Sequence, residues 1–279
     1  DTRMPHLLSM TATPIPRTLA LTIYGDLDIT LLDEMPKGRK PVITTLVTPD
    51  KRDEMYDHVK SELADGRQAY VICPRIDEPD PDKQTALNLK SVKAEAERLQ
   101  TKVFKDARVG ILHGKMKPDE KDRTMLAFAA HEIDVLVATS VVEVGVSVAN
   151  ATNIIIEGAE RFGLAQLHQL RGRVGRGDKP SSCVLLYKGP LGETAGSRLN
   201  IMRQTNDGFL IAEEDLKLRG GGEILGTRQS GTPGFRIARP EDHADLMEVA
   251  RDDARLAVDQ DRVGPAERPD RGGDQRAER

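Results

Sequence analysis

The chain has 279 residues, enough for one or two domains with a buried core. Its 41 basic and 45 acidic side chains leave a net charge of −4, so no bulk positive field draws it to nucleic acid and any such role has to be local. Five Phe, four Tyr and no Trp argue against a base-stacking groove of the single-strand-binding kind, and two cysteines exclude a disulfide framework and a four-cysteine zinc site.

Both cysteines, Cys73 and Cys183, fall in apolar runs and are expected as reduced core thiols. No stretch approaches the roughly 18 apolar residues of a membrane span, and the first residues carry no signal-peptide hydrophobic region, so a soluble, cytoplasmic protein without membrane contact is expected. The start at Asp1, without an initiator methionine, is expected to be an internal cut through a longer polypeptide.

In chain order, short β-branched runs predict strands at 7–11, 42–47, 69–73, 108–112, 134–139, 153–157 and 183–187. Helix-period segments lie between them. The first, 50–64, takes Asp50 as N-cap and carries Met55, Val59 and Leu63 on one face. Residues 89–104 form the next, and 118–130 opens on Pro118, where a missing N–H costs nothing. The alternation predicts an α/β fold, a parallel sheet covered by helices. Residues 74–85, with Pro74, Pro79 and Pro81, are expected as an exposed loop. Beyond 187 the strands stop, and helices at 194–206, 209–218 and 241–258 surround a glycine-rich segment, 219–234, to make a helical appendix. The tail, 263–279, is charged, rich in Gly and Pro and without apolar period, and is expected to be disordered.

Chemistry concentrates in Gln169-Leu170-Arg171-Gly172-Arg173-Val174-Gly175-Arg176-Gly177. Glycines let the backbone approach a neighbour, and Arg173 and Arg176, three apart, are expected to project from one side of a helical turn. As a γ-phosphoryl group leaves a triphosphate its oxygens gain diffuse charge, and a planar guanidinium reaching in from a facing domain stabilises that charge. By spacing alone, a solvated basic turn explains the segment equally well. Upstream, Val135-Leu136-Val137-Ala138-Thr139-Ser140 is a strand running into a hydroxyl-bearing turn and then Gly145; hydroxyls and backbone N–H groups at a strand's carboxyl end are well placed to hold phosphate oxygens, although alone the segment more often marks only a buried strand and turn.

These segments resemble the motifs of superfamily-two helicases. Thr11-Ala12-Thr13-Pro14 is similar to motif three, Thr139 to Val146 to motif five, and Gln169 to Arg176 to motif six. Ile23-Tyr24-Gly25-Asp26-Leu27-Asp28 and Leu218-Arg219-Gly220-Gly221-Gly222-Glu223, continuing through Thr227-Arg228-Gln229, narrow the resemblance to the RecG-type ATP-dependent DNA helicases. The resemblance implies a RecA-like sheet with a translocation hairpin. Residues 1–40 would end the first lobe and link it on, 41–190 would be the second RecA-like lobe, 191–262 the helical hairpin, and 263–279 a tail.

It also implies roles. Arg173 and Arg176 would reach ATP and its Mg²⁺ held mainly by a first lobe, with Gln169 in support; Glu143, Gly145 and Ser147 would lie near the nucleotide. Thr139 would meet a DNA phosphate, Thr11 and Thr13 would couple the lobes, and Arg228 and Gln229 would ride on a lever along duplex DNA. Implied partners are branched and double-stranded DNA, with a single-strand-binding protein besides, and the protein would act as a monomer in recombination and repair. Two departures stand out: Ser147 replaces the family's usual Asp, which weakens the expectation of a ribose contact, and Gly221 replaces the usual Pro, which frees φ in the loop.

A phosphate-cradling loop is missing from this sequence. The nearest match, Gly110-Ile111-Leu112-His113-Gly114-Lys115-Met116, is one residue short between its glycines and ends in Met, and is expected to be a strand-to-loop turn with an exposed His113. The glycines at 220–222 and 226 lack the preceding strand of a dinucleotide fingerprint. Two alternatives to the RecG-type motor remain: the motor of a transcription-repair coupling factor, and a binding module that keeps the fold without turnover.

Overall fold

A computed structural model of the protein describes residues 38–74, 81–139 and 148–219, with residues 8, 10, 30, 32, 249, 250, 253 and 256 as isolated positions. Six strands, β1 Val42–Val47, β2 Gln68–Ile72, β3 Val109–Leu112, β4 Val135–Ala138, β5 Ala151–Ile156 and β6 Ser181–Leu186, form one sheet in the order β1-β6-β5-β2-β4-β3. Every pairing is parallel. Parallel strands need long crossovers, and helices lie in four of the five connections: α1 Arg52–Ala64, α2 Pro81–Arg98, α3 Pro118–Ala129 and α4 Leu164–Arg171, while most of the β4–β5 connection is outside the described residues. Two further helices, α5 Glu193–Gln204 and α6 Gly208–Arg219, follow β6. All of these elements lie in the first of two compact units, Asp1–Pro16 with Leu31–Gly220; the other unit comprises Arg17–Thr30 with Gly221–Arg279.

Helices on both faces bury the central strands completely, which is why β2, β4 and β5 read as unbroken apolar runs rather than alternating ones. Successive residues still point to opposite faces. Tyr70, Ile72, Leu136, Ala138, Ile154 and Ile156 pack on one side with Phe128 of α3, Leu164 and Leu167 of α4, Leu199 and Met202 of α5 and Ile211 of α6. Val71, Val137 and Ile155 pack on the other with Val59 of α1, Val92 of α2 and Leu99. The helix pair after β6 therefore shares the sheet's first core. Cys73 and Cys183 are buried free thiols, both pushed up to about 12 by burial.

Several expected boundaries shift. Asp50 does not cap α1: Pro49 fixes φ and starts a 3-10 turn, Pro49–Lys51, so the N-cap falls one residue later, at Lys51. Leu63 is half-buried beside the buried Met55 and Val59, so the expected face holds. The segment 74–85 is not wholly loop, because Pro81 opens α2 where proline is tolerated best. That helix then loosens into a π turn, Leu99–Val103, that seats Leu99 and ends at the buried Phe104. Strands β5 and β6 start two residues earlier than predicted, because Ala151, Thr152 and Ser181 are polar or small yet buried. Among residues expected in other elements, the strand at 7–11, the glycine-rich segment beyond 219 and the tail lie outside the described residues, apart from residues 8 and 10. Of 241–258, residues 249, 250, 253 and 256 are described, and all four are helical. No helix among the described residues is long and apolar enough to cross a membrane.

Gln68 opens β2 and is fully buried. Its side-chain amide donates to the carbonyls of Phe128 (2.6 Å) and Ile133 (2.7 Å) and accepts from Asn150 Nδ2 (3.1 Å), which also donates to Gly66 O (2.9 Å). One amide thus closes the loops entering β2, β4 and β5. Gln68→Leu keeps the bulk but strips two buried carbonyls of their donor, and should destabilise this chain by roughly 2–5 kcal/mol. Denaturant unfolding checks it, and a loss below about 0.5 kcal/mol would mean the carbonyls find other donors.

Candidate functional site

Leu164, Leu167 and Leu170 seat α4 on the sheet, and the helix stops at Gly172, whose N–H still bonds His168 O and Leu170 O. Arg173 and Arg176 therefore do not project from a helical turn. They follow it, in a turn and coil segment that passes the amino ends of β1 and β6. Two further backbone bonds tighten the exit, Arg173 N to Leu170 O (3.0 Å) and Val174 N to Arg171 O (3.3 Å), and Val174 is fully buried.

The segment is then clasped closely. Gly175 has φ +72°, and a Cβ there would stand 2.7 Å from Val42 Cγ2, at the first residue of β1. Gly177 leaves only 2.9 Å between a would-be Cβ and Ala149 O, two residues before β5. Glycine is required at both positions, at 175 for its conformation as well as for space. With its backbone pinned, the turn offers its side chains outward: Arg176 is exposed, with Nε on Gly172 O (3.1 Å), and Arg173 is half-buried. Burial pushes the Tyr70 phenol up to about 12, and the charges of Arg173 and Arg176 oppose that shift. Gln169 is exposed on α4 one turn before them.

Arg171 was not among the expected site residues. It follows Leu164 by seven and Leu167 by four, on the buried stripe of α4, and that position is the signal in the sequence. Only 3% of it is exposed. Its guanidinium donates to Met202 O (2.8 Å), Thr205 O (2.8 Å) and Thr44 Oγ1 (3.3 Å). Met202 and Thr205 carry carbonyls at the carboxyl end of α5, where a cation completes the unsatisfied acceptors and meets the negative end of the helix dipole. One buried cation thus joins the arginine turn to β1 and to the helix pair. Beyond Thr205, Asp207 Oδ1 accepts from Phe209 N (2.8 Å) and Leu210 N (3.4 Å) and opens α6.

Thr139 lies at the carboxyl end of β4, buried, with its N–H on Leu112 O (3.4 Å). The arginine turn sits against the amino ends of β1 and β6, so in a parallel sheet the structure does not bring Thr139 and Arg176 together. Four or more strand residues separate the two ends, on the order of 13 Å. His113 is half-buried rather than exposed, because Met116 folds back so that its sulfur accepts the His113 N–H (3.4 Å). At the carboxyl end of β5, Glu157 pairs with Arg52 and accepts from Tyr56 OH (3.1 Å), while Arg98 donates to Tyr56 OH (2.5 Å) and pairs with Glu95 (2.6 Å). Burial raises the Glu157 carboxyl, and Arg52 opposes it. Thr11, Thr13, Glu143, Gly145, Ser147, Arg228 and Gln229 lie outside the described residues.

His168, one turn before Gly172, is held down to about 4 by burial, then by Arg171, whose Nη2 lies 3.4 Å from Nδ1, and by Arg39, with Asp207 opposing. A histidine depressed in the fold from its ordinary 6.5 is neutral there while the unfolded chain is protonated, so its contribution is complete above about pH 6.5 and is lost as pH falls toward 4. His168→Gln should flatten the pH dependence of stability across that window and leave it unchanged above pH 7. Equal slopes for the two proteins between pH 4 and 6.5 would refute the assignment.

Residues 50–178 match the helicase conserved C-terminal domain, and residues 205–271 match domain 3, C-terminal, of the ATP-dependent DNA helicase RecG. The ATP-dependent DNA helicase RecG of Synechocystis sp. is 47% identical over 257 residues, 92% of this chain and 30% of that protein. The enzyme of the same name from Pasteurella multocida is 52% identical over 84% of this chain and 33% of its own length. A solved structure of RecG bound to a three-way DNA junction superposes with a TM-score of 0.66 at 46% identity, over 85% of this chain and 30% of that one. The chain spans about a third of the length of these relatives. With a RecA-like parallel sheet, the arginine turn of motif six and the RecG-specific segment that follows, the chain belongs to the RecG family of ATP-dependent DNA helicases.

Proposed function

We propose that this chain is the second motor lobe and translocation hairpin of an ATP-dependent translocase that moves along duplex DNA and remodels branched DNA, such as stalled forks and Holliday junctions. In this reading 1–40 closes the first lobe and links it to the second, 41–190 is the second lobe, 191–262 is the hairpin region and 263–279 a tail. The observation that carries it is the arginine turn: Arg173 and Arg176 extend from a backbone pinned at Gly175 and Gly177, in a chain about half identical to RecG helicases along most of its length.

A guanidinium carried on a pinned backbone suits phosphoryl transfer. The leaving γ-phosphoryl spreads charge over three oxygens, and a planar cation fixed in advance stabilises that charge without reorganising. ATP with Mg²⁺ would be held mainly by a first lobe, since this sequence has no phosphate loop with the Lys and Ser or Thr that such binding needs. Thr139 at the opposite end of the sheet would face DNA, keeping the polymer and the nucleotide on separate surfaces. Arg171 ties the arginine turn to the carboxyl end of α5, just ahead of α6.

In the complete helicase, Arg176→Ala should lower kcat by about 10³-fold or more and leave ATP affinity within about tenfold, because the arginine acts on charge that develops in the transition state. Single-turnover hydrolysis within about tenfold of wild type would end the assignment.

Arg228→Ala with Gln229→Ala should leave hydrolysis at a substantial fraction of wild type while triplex-strand displacement, which reports movement along duplex, collapses. Saturating DNA decides the matter. A phosphate anchor is restored by excess DNA, with the salt slope reduced by about 1 per lost contact, whereas a lever is not restored.

A further inference from the structure

Three residues before β1, the half-buried Arg39 reaches 136 positions along the sequence to the arginine turn, where its Nε donates to Gly175 O at 3.0 Å. Gly175 stands between Arg173 and Arg176, and its α-carbon is boxed in by the same stretch: a Cβ would meet Val42 Cγ2 at 2.7 Å and Lys40 O at 3.8 Å. Residues 39–42 therefore grip Gly175 twice, through its carbonyl and through its missing side chain. The φ of +72° at Gly175 sets the direction in which the following residue leaves, so the peptide that Arg39 holds is the one that aims Arg176.

We propose that Arg39 is a positioning residue for the arginine turn: its Nε–H clasps the Gly175 carbonyl and fixes where Arg176 presents its guanidinium. The catalytic consequence rests on the arginine assignment made above, but the clasp itself does not. Arg39 belongs to the segment assigned to the connection between lobes.

The donor is Nε, midway along the side chain. Lysine keeps the charge but has a methylene at that position and its only nitrogen one atom beyond, so Arg39→Lys separates a hydrogen-bonded clasp from a mere positive charge. In the complete helicase, Arg39→Ala should lower kcat for DNA-stimulated ATP hydrolysis by about 10- to 100-fold, the cost of a displacement near 1 Å at a reacting group. KM for ATP should stay within about threefold, since ground-state binding is untouched. Arg39→Lys should resemble Arg39→Ala.

On an Arg176→Ala background, Arg39→Ala should add little to the loss, because the group it positions is already gone; a generally weakened fold would reduce both backgrounds alike. Amide exchange at residues 172–177 should rise on the order of tenfold in Arg39→Ala, the loss of one charge-assisted hydrogen bond. Each contrary result overturns the proposal: exchange unchanged, Arg39→Lys equal to wild type, additive losses in the double variant, or a raised KM with kcat intact, which would make Arg39 a nucleotide contact. Should Arg176→Ala leave kcat unaltered, the arginine assignment fails by itself, and the exchange measurement still decides whether Arg39 holds the turn.

Discussion

A buried guanidinium holds the functional half of this molecule together. Arg171 sits at the end of α4 with its charge out of water, and burial lowers its pKa. Among the described residues no carboxylate pairs with it; its partners are the carbonyls of Met202 and Thr205 and the hydroxyl of Thr44. Such a cation is tolerated only when its donors are met, because an unpaired buried charge costs several kcal/mol. The acceptors are equally dependent, since the last carbonyls of a helix have no partners of their own. Neither side can leave without exposing the other, so α4, β1 and the carboxyl end of α5 are obliged to keep one arrangement. The arginine turn begins two residues later and inherits its starting point from that constraint.

The sheet adds a second constraint, of direction. All six strands run the same way, so residues leaving strands gather at one end and residues entering them at the other. Thr139 and the Glu157–Arg52–Tyr56–Arg98 network stand at the carboxyl ends, while Arg39, Gly175 and Gly177 stand at the amino ends. In the function proposed above, one of these ends would grip a polymer and the other would sense a nucleotide. Strand length alone sets that separation. What joins the two ends is the close-packed interior, where the Phe128 and Tyr70 rings meet at a 57° tilt with their centroids 4.9 Å apart.

Glu157 shows how the carboxyl end is closed. Burial raises its carboxyl, yet Arg52 and the Tyr56 hydroxyl both favour the charged form. Arg98 then shares the same hydroxyl while bonding Glu95, and both arginines lie over the Tyr56 ring, at 5.9 and 5.2 Å. The network spans α1, β5 and α2, so helices on one face are fixed to a strand by directional bonds as well as by apolar packing. Non-directional burial brings these elements together, and the ionic network selects the register in which they meet.

Much of this was legible in the sequence. β-branched runs marked all six described strands within two residues, since burial on both faces leaves a continuous apolar signature that needs no knowledge of neighbours. The arginine pair and the family motifs were readable for the same reason: they are local strings. Tertiary structure alone decided the strand order, the opposition of Thr139 to the arginines, and the clasps made by Gln68, Arg171 and Arg39. Each of those side chains is polar and reaches a partner far along the chain, 60 residues away for Gln68 and Phe128, 34 for Arg171 and Thr205, and 136 for Arg39 and Gly175. A local pattern records which faces must be dry, because hydrophobic burial is non-directional and repeats with the helix or strand period. It does not record which distant carbonyl a buried donor must meet, because a hydrogen bond is fixed by geometry that exists only once the chain has folded.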